Sequence, residues 1–114
     1  MAIEIGDKML IAHRRLFEGD SVDIFIGSVT AYGDGICKVL GHSWTWDPFA
    51  VKIERTKGIR TKVVAVASGT HVIYQLPHDA DMESLAFVID PDGRLQLEDA
   101  TGLKMEVSDR GARR

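Results

Sequence analysis

Between residues 22 and 46 apolar and polar side chains alternate with a period of two, the period of a half-buried strand. In "VDIFIGSVTAY", 22–32, the even positions Val22, Ile24 and Ile26 are apolar before Gly27; after it the odd positions Val29 and Ala31 are. A glycine where the phase changes predicts a bulge or sharp bend. Gly33-Asp34-Gly35 predicts a hairpin turn. A second strand follows from Ile36 to about Trp46, and Pro48, which lacks an N–H, ends its ladder. The polar, basic segment 50–60 reads as a long loop or the tip of a projecting hairpin. Two short apolar runs within 61–77 surround Ser68-Gly69, and Pro77 with "HDADMES" forms a linker.

Alternation returns at Leu85, Phe87 and Ile89, then at Leu95 and Leu97, then at Leu103, Met105 and Val107. "DPDG" and "ATG" supply the turns between these runs, so three short strands in a meander are expected. Nearer the start, Asp7 as N-cap and Gly19 as stop admit a helix, with Met9, Leu10, His13, Leu16 and Phe17 near one helical stripe. The pattern predicts one predominantly β domain, a barrel core over 1–77 with a C-terminal β extension over 78–114 packed onto it.

Composition changes this picture little. The chain has 114 residues, 45% apolar and 27% charged, enough for one globular domain that folds without staples. No apolar run reaches the roughly 18 residues that span a bilayer. The start, "MAIEIGDKML", carries Glu4 and Asp7 and has no basic region before an apolar core, so no secretory signal is expected. With a single cysteine, Cys37, no internal disulfide forms, and a reducing cytoplasm is the expected setting.

Charge matters more. A net charge of −3 argues against gripping nucleic acid by bulk electrostatics. The distribution is uneven: Lys52, Arg55, Lys57, Arg60 and Lys62 stand against Glu54 alone, whereas residues 79–109 hold nine acids against Arg94 and Lys104.

No catalytic arrangement stands out. The histidines, at 13, 42, 71 and 78, are too scattered for a zinc spacing, and no metal or cofactor is expected. Cys37 reads as a small buried hydrophobe in a strand rather than a nucleophile. "ASGT" around Ser68 lacks the glycine pattern of a nucleophile elbow. "GDSVD" and "DPDG" place acids in turns without an evident partner to shift their pKa. The expectation is a protein that is not an enzyme.

Phe25 to Leu40, "FIGSVTAYGDGICKVL", resembles the first motif of the Sm/LSm-like β-barrel family. Gly27 matches its glycine, Val29 its aliphatic, Tyr32 its aromatic, Ile36 takes its methionine's place, and Val39 and Leu40 fall on the next strand. "VASGTHVIYQL", Val66 to Leu76, is similar to the second motif at Gly69, Val72 and Ile73. The resemblance implies a small, strongly bent five-stranded barrel, Sm-like or more loosely SH3-like, that assembles into a homo-oligomeric ring and binds single-stranded RNA. The family's RNA-contacting Asp, Asn and Arg read Gly33, Cys37 and Ser68 here. Tyr32, Asp34, Ser68, Thr70 and His71 are then the candidate RNA-binding residues, Tyr32 by stacking a base.

"GHSWTWDPF", Gly41 to Phe49, puts His42, Trp44 and Trp46 on one face of an extended strand. Packing is the first reading of that row and a partner contact the second. With Arg55, Lys57 and Arg60, the tryptophans form a candidate partner or ligand surface. In "THVIYQLP" Val72, Tyr74 and Leu76 point one way and Ile73 the other, so cover is needed on both sides, from a neighbouring subunit or from the C-terminal meander. Two functions follow as expectations: a ring-forming Sm-like RNA binder with altered binding residues, or a structural or protein-interaction module, such as a phage or accessory component, without nucleic acid.

Overall fold

Asp34 and Gly35 both take positive φ, 54° and 76°, the pair of left-handed residues that a two-residue type I′ turn requires. The turn joins β2 (Asp23–Gly33) to β3 (Ile36–Asp47), with Gly33 opposite Ile36, as the sequence predicted. The computed structural model describes residues 3–13, 23–47 and 49–107, which contain nine strands and no helix. None of these residues therefore belongs to a helix long and apolar enough to cross a membrane.

Around this hairpin lie β1 (Lys8–His13), β4 (Lys52–Arg55), β5 (Arg60–Ala65) and β6 (His71–Gln75). The spatial order is β4-β3-β2-β1-β6, and β5 also pairs with β3. β3 is long enough for two partners: Ile36–Gly41 faces β5, and Trp44–Asp47 faces β4. β7 (Ala86–Ile89), β8 (Leu95–Glu98) and β9 (Lys104–Glu106) make the separate three-stranded meander that the alternation predicted.

Two cores explain why these segments are strands. Leu10, Ala12, Ile24, Ile26 and Trp44 cover the outer face of the large sheet and are buried against Leu85, Phe87, Leu97 and Val107 of the meander region. Met9, Ile11, Phe25, Val29, Cys37, Val39 and Val64 fill its inner face. β1 and the first half of β2 are thus apolar on both sides, and a strand is the element that divides such a run between two layers.

Three expectations are corrected by this arrangement. Residues 8–13 form a strand, not the start of a helix, because Met9 and Ile11 serve one core while Leu10 and Ala12 serve the other; Leu16, Phe17 and Gly19 lie outside the described residues. The side-chain phase does not flip at Gly27. Ile24 and Ile26 face the outer core, Phe25 and Val29 the inner one, and the bulge falls at Thr30, where the register passes from Val29–Val39 to Ala31–Lys38. The large sheet is not a closed five-stranded barrel: among the described residues β5 and β6, joined by 66–70, form no ladder with each other. The outer face takes a second sheet as its cover instead of leaving the strands to close alone.

The meander is fastened through its linker. Leu76 N donates to Lys8 O (2.8 Å), and Lys8 Nζ donates to His78 O (2.6 Å) and Ala80 O (2.7 Å). Asp7, buried, accepts from Gln75 Nε2 at 2.8 Å and from Glu4 N at 2.9 Å. Asp99 accepts from Asp81 N at 2.6 Å, and Ser84 Oγ accepts from Ala100 N at 2.8 Å.

Candidate interaction surface

Val66 N donates to Gly35 O at 2.9 Å, which lays the β5–β6 loop alongside the β2–β3 turn. Tyr32, 43% exposed, and Asp34 therefore stand at the same end of the sheet as that loop. Ser68 Oγ and Thr70 Oγ1 are 2.9 Å apart, and Thr70 Oγ1 is 3.1 Å from His71 Nδ1. The His71 ring meets the His13 ring edge-on with centroids 5.2 Å apart. Burial holds His71 below its ordinary pKa, His13 and Lys62 push the same way, and Asp23 opposes them. The result is a row of neutral hydrogen-bonding groups rather than a cationic phosphate clamp. Among the described residues no group of three or more His, Cys, Asp or Glu is placed to hold a metal.

Cys37 lies in the inner core, 2% exposed. Burial pushes its thiol pKa up and the charge of Asp7 adds to the rise, the opposite of what a thiolate nucleophile needs. In "DPDG", however, an acid does have partners. Asp90 accepts from Arg94 N, Asp92 N and Gln96 Nε2, which hold its carboxyl below the usual range and tie the β7–β8 turn.

The structure divides the tryptophan row. Trp44, 6% exposed, packs edge-to-face on Phe87 at 5.3 Å between ring centroids. Trp46, opposite Ile53, is 41% exposed because the meander's cover stops short of it. Of the basic residues, Arg55 pairs opposite Trp44, Arg60 opens β5 opposite Gly41, and Lys57 lies exposed in the segment between β4 and β5.

The segment after β3 is the projecting hairpin: Asp47 faces Lys52 across its base. Asp47 Oδ1 accepts from Phe49 N (2.9 Å) and Ala50 N (3.3 Å), Asp47 O from Val51 N (2.8 Å). Those backbone bonds hold the Asp47 carboxyl below its ordinary pKa. At the tip Phe49 is 96% exposed and Val51 67% exposed with φ 55°. Sequence reasoning passed over both residues, although an apolar pair beside Pro48 in a polar stretch was the signal available. Along the sheet from the tip, a pocket of about 150 Å³ is lined by Gly27, Gly41, Leu40, Trp44, Ile59 and Met82, with Arg55 and Glu83 at its sides.

β6 is partly covered within the chain. Val72 and Tyr74 pack on the outer core, where Leu76 is buried, and Ile73 packs on the inner one. On the large sheet the outer face of β3 and β5 is also uncovered: Ile36, Leu40 and Val63 are 42%, 39% and 59% exposed, and Ile59 beside them 63%. Comparison with protein-family models, with curated proteins and with solved structures returns no match.

Proposed function

We propose that this protein is a non-enzymatic β module that works by self-association, an assembly or protein-interaction component. One observation carries the reading: the apolar outer face formed by Ile36, Leu40 and Val63 lies on β5 and its neighbour β3, and no further described strand pairs with β5. An unpaired edge beside exposed aliphatic side chains is a template for another chain. The raised thiol pKa of Cys37 supports the non-enzymatic side. Sedimentation velocity over a concentration series tests the reading. Wild type should associate, and Val63→Lys, which charges that face, should associate less. A wild type that stays monomeric throughout overturns it.

A second reading keeps the Sm-like ring and its RNA. It is favoured by the half-exposed Tyr32 beside the β2–β3 turn, to which Val66 ties the start of the loop that carries the Ser68–Thr70–His71 row; the resemblance puts a single strand on these two loops. It predicts binding of uridine- or adenine-rich strands that weakens as salt rises, measured by fluorescence anisotropy. No binding at low salt removes it.

A further inference from the structure

We propose that Phe49 is a docking knob that seats in the pocket beside Gly27 and Gly41 of a second copy of this chain. The inference rests on the self-association reading and names its contact.

The knob is built, not left over. Phe49 is 96% exposed, yet its turn is tied to Asp47 by three hydrogen bonds from backbone N–H groups, two to the carboxylate and one to the carbonyl. Val51 closes the turn with φ 55°, a left-handed conformation that a β-branched residue adopts only under strain. The turn so built presents a phenyl ring to solvent beside the exposed Trp46 and Val51. The ring cannot fill the pocket of its own chain. Arg55, at the side of the pocket, lies three residues along β4 from Lys52 at the hairpin base, about 10 Å at the rise of a strand, and Phe49 lies beyond that base, 96% exposed.

The pocket suits the knob in size, chemistry and charge. Its volume of about 150 Å³ is that of an apolar cavity able to take a benzene ring. Leu40, Trp44, Ile59 and Met82 offer apolar and sulfur contacts to an aromatic ring. Glu83 stands at its side and belongs to the acidic run with Asp79 and Asp81. The copy that brings Phe49 also brings Lys52, the first cation of the basic segment 52–62, exposed although it lies 3.3 Å from Glu54 of its own chain. Seating the ring also covers Leu40 and Ile59, part of the exposed outer face. Knob and pocket are different surfaces, so the contact is head-to-tail and propagates into a ring or a filament.

The test uses two full-length variants. Phe49→Ala removes the knob and keeps the pocket. Ser28→Phe fills the pocket and keeps the knob, since Ser28 lines the pocket and sits opposite Leu40. Circular dichroism checks that both fold. By sedimentation each should self-associate about tenfold or more weakly than wild type, the loss expected of a central aromatic anchor. Mixed in equal amounts they should form a one-to-one heterodimer through the single intact contact. Symmetric pairing of β5 edges gives no such rescue. Variants that associate like wild type, or that are both impaired without rescuing each other, overturn the knob and leave self-association standing. A monomeric wild type overturns both.

Discussion

Gly27 and Gly41 face each other across the β2–β3 ladder at a separation that leaves neither room for a side chain. A methyl built on Gly27 would overlap the Leu40 carbonyl and lie 2.8 Å from Gly41 Cα; one on Gly41 would overlap the Ile26 carbonyl and lie 2.5 Å from Gly27 Cα. The obstacles are backbone atoms, which cannot rotate away. Gly27→Ala or Gly41→Ala should therefore lower stability by about 3 kcal/mol or more, read from urea midpoints. An alanine variant at wild-type stability contradicts this geometry.

The two tryptophans should separate in the same assay. Trp44 is enclosed against Phe87, so Trp44→Ala should lower stability by about 3–5 kcal/mol. Trp46 is 41% exposed, and Trp46→Ala should change stability by less than about 1 kcal/mol. Equal losses would mean that the meander covers both.

Val51 holds φ 55° where glycine would be unstrained. Val51→Gly should raise stability by about 1 kcal/mol, the relief of a left-handed residue less the added freedom of the unfolded chain. A lower melting temperature for the variant would show that Val51 makes packing contacts that outweigh the strain.

Asp99 ties the linker to the meander: its carboxylate accepts from Asp81 N first of all, then from Thr101 and from Leu103 N. These bonds bring its pKa from 3.8 down to about 2. A depressed carboxylate stabilises the fold above its unfolded pKa, so this contribution is lost as pH falls from 3.8 through about 2. Acid unfolding of Asp99→Asn should show a shallower dependence on pH in that window. An unchanged slope would contradict the assignment.

His71 gives a second pH step. Burial, then His13 and Lys62, hold it below 6.5, so the unfolded chain takes up the proton more readily than the folded one. Stability is complete above pH 6.5 and declines as pH falls through the lower folded value. His71→Gln should flatten thermal stability across that range, and a curve as steep as wild type would rule His71 out as the cause.

Much of the fold was legible wherever one face of a strand meets solvent. Leu95 and Leu97 alternate with Gln96 and Glu98, and Leu85, Phe87 and Ile89 recur at the same period, so their strands were found; Asp34-Gly35 announced its own turn. β1 was not legible, because Met9 to Ala12 is apolar without a period once two cores claim alternate side chains. Gly27 was marked, but for the wrong role. The pattern shows that a glycine is present, not that the facing residue, Gly41, also lacks a side chain. The row of His42, Trp44 and Trp46 was read correctly as one face, and where the cover ends on it depended on the docking of a sheet forty residues away. Phe49 was missed because exposure is a tertiary property: Phe49, Ala50 and Val51 are apolar in sequence, and nothing in that pattern tells a buried turn from an exposed one.

The central claim is self-association, and native mass spectrometry of the full chain, purified without nuclease and sprayed over a range of concentrations, tests it most directly. The account predicts a defined oligomer that grows in with concentration and carries no nucleic acid. A monomer at every concentration would contradict it.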